Sequence, residues 1–186
     1  MVHILSFDVG IKNLSYCLID DSNILDWDLI DLTDEGGSTK KQDMQKLSSN
    51  LFQKLQEKFD SFEIDHVIIE NQPVFKNPTM KSIQMLIYAF FAYKRVLELR
   101  QIKEITFVAA STKVKYAEAH LQKLGVEIER CEKKYKYNKN TCIQCTSKIL
   151  ENGDLLDWFR GHSKRDDLAD AYLLGLSYLE RKCRKK

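Results

Sequence analysis

The stretch HILSFDVGIKNLSYCLIDDSNILDWDLIDL, residues 3–32, decides the fold. His3–Asp8 is a short apolar run closed by a carboxylate, which reads as a strand. Leu14–Asp20 and Ile24–Leu32 are two more strand candidates, and Asp20–Asn23 between them reads as a hairpin turn. Three consecutive strands imply an antiparallel meander.

The pattern then changes period. A polar loop, Asp34–Lys41, contains Gly36–Gly37. Met44, Leu47, Leu51, Phe52, Leu55 and Phe59 fall at helical spacing, which predicts a helix over Met44–Phe59. His66–Ile69 is a buried-type strand ending at Glu70. A helix is expected over Asn77–Leu99, opening after Pro78. Ile105–Ala110 reads as a strand, and Ser111 as the N-cap of a helix to Leu124. Cys131–Thr146 is polar, basic and irregular, Ile149–Phe159 is a short helix, and Asp166–Glu180 is the final helix before a basic tail, Arg181 to Lys186. Later strands alternating with helices imply parallel additions to the meander. The expectation is an α/β fold: a five-stranded mixed sheet, three antiparallel strands then parallel ones, flanked by helices. One domain over 1–186 with a basic insertion at about 131–148 accounts for the whole length.

Composition narrows the class. Hydrophobic residues make up 44% and charged residues 30% of the 186, the balance of a globular protein. Seven Gly and two Pro exclude collagen-like and linker-like chains. No apolar run approaches the ~18 residues of a membrane span, and Val2–Phe7 is too short for a secretory signal, with Asp8 interrupting it. No membrane partner is expected. Five cysteines without framework spacing read as reduced thiols in a reducing compartment. The net charge of +2 hides an asymmetry: residues 1–70 carry −8 and residues 71–186 carry +10. A basic C-terminal two-thirds can meet a polyanion.

Carboxylates sit where chemistry, rather than packing, explains them. Asp8 ends the first strand and opens Asp8-Val9-Gly10-Ile11-Lys12-Asn13, where Gly10 permits a tight turn or the close approach of a phosphate. Glu70 ends an apolar strand just before Asn71-Gln72-Pro73. Asp167 and Asp170, three apart at the start of a helix, share one face, and Asp166 is four before Asp170. Singly, each has a plain alternative as a turn former, a partner for a lysine or a helix cap. As a set they are harder to dismiss, because each terminates or opens a core element. If the first and fourth strands are neighbours, Asp8 and Glu70 converge, and a helix against that edge adds Asp167 and Asp170. Clustered carboxylates repel unless cations sit among them, and all-oxygen ligation favours Mg²⁺ or Mn²⁺. Two such ions would clamp the attacking water and the leaving 3′ oxygen of a phosphodiester.

Phe7–Asn13, Ile68–Gln72 and Lys164–Asp170 together resemble the RuvC-like Holliday junction resolvases of the ribonuclease H-like superfamily. The Asp-x-Gly-x-x-Asn opening, the Glu-x-Gln-Pro segment and the Lys-x-Asp-Asp-x-Ala-Asp ending are most similar to the poxvirus resolvases and their relatives in other large DNA viruses. Fungal mitochondrial resolvases are similar too. The motifs span residues 7–170. The resemblance implies a homodimeric endonuclease that nicks four-way junctions symmetrically, with two Mg²⁺ per active site (Mn²⁺ substituting) and no small-molecule cofactor. It makes Asp8, Glu70, Asp167 and Asp170 the metal-binding carboxylates, with Asp166 beside them and Lys164 near the phosphate or water. Lys12, Asn13 and Gln72 flank these acids and are expected to face the nucleic acid. A cytoplasmic location, the host cytoplasm for a viral protein, follows from the same resemblance; a mitochondrial one is the alternative.

Several weaker signals complete the reading. Lys133, Lys134, Lys136, Lys139 and Lys148, interleaved with Tyr135 and Tyr137, form a basic-aromatic segment suited to phosphate contact. The helix ending at Leu99 is apolar nearly all round; its second face is expected to make the dimer interface, unless residues 131–159 cover it. Cys142-x-x-Cys145 is half of a zinc site, with only His162 and Cys131 as loose candidates for the rest. His162 is a candidate to orient water. The rival readings are a nuclease of RNA–DNA hybrids and a non-catalytic junction-binding protein. A sugar-kinase-like phosphotransferase, which also opens on Asp-x-Gly, would need two such domains.

Overall fold

A computed structural model describes residues 2–21, 23–33, 43–75, 77–98, 100–128 and 131–183. Ser22 of the hairpin turn, the loop around Gly36–Gly37, Leu99 and the tail beyond Cys183 lie outside the described residues. The elements run β1 (His3–Asp8), β2 (Leu14–Asp20), β3 (Asn23–Ile30), α1 (Met44–Phe59), β4 (His66–Asn71), α2 (Pro78–Leu97), β5 (Glu104–Ala109), α3 (Ser111–Lys123), α4 (Lys134–Ile149), α5 (Asp154–Gly161) and α6 (Arg165–Cys183).

The five strands form one sheet in the order β3-β2-β1-β4-β5. β1 pairs antiparallel with β2, and β2 with β3. β4 lies parallel to β1 on its other side, and β5 parallel to β4. The mixed sheet expected from the sequence is therefore the one observed.

Alternation along the strands sorts side chains to two faces. Leu5, Phe7, Tyr16 and Leu18 point to a core closed by α1 and α2, where Leu47, Leu51, Leu55 and Phe59 line up at helical spacing. Ile4, Cys17, Ile19 and Trp27 point to the other core, under α6, α3 and α4. There the Trp27 ring stacks on Phe159 of α5 with centroids 5.3 Å apart. Both faces are covered, which is why the strands read as nearly unbroken apolar runs.

Helix α6 lies against β1 and β2, and side chains of the sheet hold its carbonyls. Ser6 Oγ donates to Ala171 O at 2.7 Å, Ser15 Oγ to Asp167 O at 2.6 Å and Trp27 Nε1 to Leu168 O at 3.0 Å. A Cβ at Gly175 would lie 2.9 Å from Ser6 Oγ and 3.5 Å from Ile19 Cδ1, so any side chain here would have to displace the Ser6 hydroxyl that holds α6. These contacts fix the rotation and height of α6 on the sheet.

The structure corrects three expectations. Residues 134–149 are a regular helix, not an irregular stretch. Thr141, Cys142, Cys145 and Thr146 form its buried stripe, and such small, weakly apolar residues hide the period. The short helix begins at Asp154, because Glu151 (φ 54°) and Gly153 (φ 125°) take left-handed backbone conformations that break the chain after α4. Ser111 is the first helical residue of α3, and the cap position is Ala110, with no side-chain bond. Residues 131–159 do not cover α2: α4 and α5 pack on the face of the sheet opposite to it.

Gly175→Val is expected to push α6 off the sheet at Ser6. Overpacking of this kind costs about 1–3 kcal/mol, and a thermal melt should show Tm falling by several degrees.

Candidate active site

The register of β1 against β4 pairs Phe7 with Ile69, so Asp8 and Glu70 leave neighbouring strands at the same rung. Glu70 is still within β4, paired with Val108, and only 8% exposed. The docking of α6 lays Asp170 over the same end of the sheet. A fourth group, which the sequence motifs did not mark, completes the centre. Lys113, in the first turn of α3, is 6% exposed. Its Nζ bonds to Glu70 Oε2, lies 2.6 Å from Asp170 Oδ2 and 3.3 Å from Asp8 Oδ1.

One ammonium therefore faces three carboxylates. Burial opposes the charge on Lys113, but the fields of Asp8, Asp170 and Glu70 outweigh it and hold the lysine well above its usual range. Burial and the nearby Asp8 push Glu70 up to about 8, although Lys113 pulls against them. Burial also raises Asp170 to about 6, against the pull of Lys113. Asp167, one turn earlier on α6, is raised to about 6 by burial, then by Asp166 and Asp8. The four acids bear more negative charge than one lysine balances.

The donors are all carboxylate oxygens at one sheet edge, a set that suits a hard divalent cation. As the side chains stand, no three of them among the described residues converge with ligand geometry. They turn onto Lys113 instead.

Asp166 has a different partner. It pairs with the Lys139 ammonium, which outweighs burial and keeps Asp166 below the usual carboxylate range. Lys139 in turn sits 4.8 Å over the Tyr135 ring. Lys164 is exposed at the N-terminal end of α6, and its charge acts on Asp167. Its backbone N–H donates to His162 Nδ1 at 3.1 Å, so that ring nitrogen closes a turn. Gln72 is a positioning residue: its Nε2 donates to Glu70 Oε1 at 3.3 Å, and its backbone N–H donates to Gln84 Oε1 at 2.7 Å. Lys12 is exposed and Asn13 half-buried in the turn after β1. A Cβ at Gly10 would lie 2.2 Å from Asn13 O, so glycine makes that turn possible. Lys133, Lys134 and Lys136 are exposed at the start of α4.

Cys142 and Cys145 are buried in the core, and no group of three metal-ligating residues surrounds them among the described residues. The Cys142 thiol instead hydrogen-bonds Asp170. All five cysteines are free. Besides Lys113, the motifs also passed over Phe75, which is 98% exposed in the loop just beyond Glu70 and Gln72. No local signal in the sequence marked the first. A lone phenylalanine after Pro73 was the signal for the second.

The chain matches the model of the poxvirus A22 protein family over residues 1–182. The protein L451 of Acanthamoeba polyphaga mimivirus is 35% identical over 148 residues, 76% of this chain and 36% of that protein. The chain thus spans little more than a third of that relative's length. Among solved structures, the yeast mitochondrial Holliday junction resolvase Ydc2 superposes with a TM-score of 0.67 at 23% identity, over 98% of this chain and 81% of that one. The fowlpox virus resolvase, solved with Holliday junction DNA, gives 0.55 at 22% identity, over 96% of this chain and 99% of that one. The fold is thus shared with the RuvC-like resolvases of ribonuclease H-like architecture, as the sequence motifs implied.

A raised carboxylate favours the folded state only while it is protonated, so Glu70 withdraws stability as pH rises from about 4.5 to about 8. Glu70→Gln removes that loss. In EDTA, the Tm of Glu70→Gln relative to the parent should climb steadily between pH 5 and pH 8. A difference independent of pH would contradict the placement of Glu70.

Proposed function

The chain belongs to the poxvirus A22 protein family, and from that premise we propose that it is a structure-selective DNA endonuclease that resolves four-way junctions. The observation that carries the reading is the convergence of Asp8, Glu70 and Asp170, from three separate elements, on one buried point. Such a point is expensive to maintain for folding alone.

Asp8, Glu70, Asp167 and Asp170 would hold the cations, Mg²⁺ with Mn²⁺ as substitute and two per site. When bound, these supply an activated water and stabilise the leaving 3′ oxygen. The chain's own groups do the rest. Gln72 and Lys113 fix the Glu70 carboxylate from two sides. Lys113 holds the Asp8, Glu70 and Asp170 carboxyl groups together before substrate arrives, and its ammonium can meet the negative scissile phosphate. Phe75, exposed in the loop that follows Glu70 and Gln72, offers a flat apolar surface on which an unstacked base at a branch point can rest. That feature favours branched DNA over a continuous RNA–DNA hybrid. Two such sites must face opposed strands for symmetric cutting, and α2 offers the surface for pairing. Tyr93, Val96 and Leu97 are each more than half exposed on it. The free thiols fit action in a reducing compartment such as a host cytoplasm.

The test is a labelled immobile four-way junction with Mg²⁺, a linear duplex of matching sequence and the Asp8→Asn variant. Paired symmetric nicks on the junction alone are expected, at least 10³-fold slower in Asp8→Asn, which retains binding. The same preparation should sediment as a dimer. Junction binding without cleavage in Mg²⁺ and Mn²⁺ alike would overturn the reading and leave a scaffold.

A further inference from the structure

The surface beside the carboxylates is unevenly charged, and the unevenness follows one groove. A cleft of about 500 Å³ opens between the N-terminal half of α4 and the turn from α5 into α6, and Asp166 lies at its inner end. A second, of about 570 Å³, continues between the C-terminal half of α4 and α5. Arg160 lines both, so the two clefts adjoin at its side chain and together outline a track.

The face that α4 gives to the track is a regular stripe. Lys136, Lys139 and Ile143 line the first cleft and Gln144, Ser147 and Lys148 the second. Lys136, Lys139, Ile143 and Ser147 follow one line of the helix at spacings of three and four, and Gln144 and Lys148 lie on the neighbouring line. From Lys136 to Lys148 the axis rises about 18 Å, the length of about five nucleotides at ~3.4 Å per phosphate. Lys136, Lys139, Lys148, Arg160 and Arg165 are opposed in the track by Asp166 and Glu151 alone. Asp166 is already held by Lys139.

The other side of the same helix differs. A cleft of about 490 Å³ between α3 and the start of α4 is lined by Lys115 and Lys134, but also by Glu118 and Glu132, and carries no net charge. Exposed lysines on α4 are therefore not equivalent: the helix separates a cationic groove from a neutral one.

We infer that the groove between α4 and α5 seats the phosphate backbone of one arm of the DNA, led outward from the carboxylates by Lys136, Arg165, Arg160 and Lys148. The proposal rests on the nuclease reading and adds to it which surface takes the arm, and that Lys134 does not take part. The Lys139–Asp166 pair marks the inner end, where the track meets the acids. Arg160 and Lys148 touch neither the carboxylates nor Lys113, and both are exposed.

The test compares two double variants of the full chain, Lys148→Ala/Arg160→Ala and Lys115→Ala/Lys134→Ala, in binding to an immobile junction over a range of salt with EDTA present. Each phosphate contact contributes about 0.9 to the slope of log K against log salt. The first variant should lose roughly 1.8 from the slope and bind at least tenfold more weakly at low salt; the second should keep the parental slope. An unchanged slope in Lys148→Ala/Arg160→Ala, or an equal loss in both variants, overturns the track. A parent that binds with the predicted slope pattern but never cuts overturns the nuclease reading and leaves the track standing. A parent that binds neither junction nor duplex overturns both.

Discussion

Lys113 is the charge on which the carboxyl end of the sheet depends. Three acids from β1, β4 and α6 meet there, and without a cation their repulsion and desolvation would drive them apart or force protons onto them. Breaking a buried charge constellation by removing one partner costs on the order of 3–5 kcal/mol. The lysine comes from α3, and α3 reaches this point because β5 ends beside β4. The positions of β1, β4 and β5 and of α3 and α6 thus meet in one electrostatic contact.

The order β3-β2-β1-β4-β5 explains why the acids gather between β1 and β4. The chain leaves β1 on one side into the antiparallel hairpin and returns on the other as the parallel β4. Connections diverge at that boundary, leaving a crevice beyond the strand ends where open α/β sheets place their ligands. Helix α6 closes one side of the crevice. Ser6, Ser15 and Trp27 bind its carbonyls and Gly175 lets it approach, so the height of Asp170 over Asp8 is set by the sheet rather than by the acids themselves. This order of causes suits a catalytic centre: a scaffold strong enough to hold groups that would otherwise separate.

Much of this was legible in the residues. Apolar runs located all five strands and helical spacing located α1, and β1, β2 and α1 carry the bounds that the sequence suggests. The carboxylates stood out because acids at the ends of apolar runs have no packing role. What the sequence hid has physical reasons. The buried face of α4 is built of threonine and cysteine, which register weakly as apolar, so a helix looked like a loop. Lys113 looked like any surface lysine of an amphipathic helix, since nothing local shows that β5 aims it inward. The separation of cationic and neutral sides of α4 depends on what α3 and α5 bring against them, and no one-dimensional charge count contains that.

The central claim is that the cluster around Lys113 is a divalent-cation site formed by Asp8, Glu70, Asp167 and Asp170. Anomalous diffraction from crystals soaked in MnCl₂ tests it most directly. The account predicts anomalous peaks among these four carboxylates in the parent and their loss in Asp8→Asn. Peaks absent from that point while the acids stay closed on Lys113, or Mn²⁺ bound elsewhere on the chain, would contradict it.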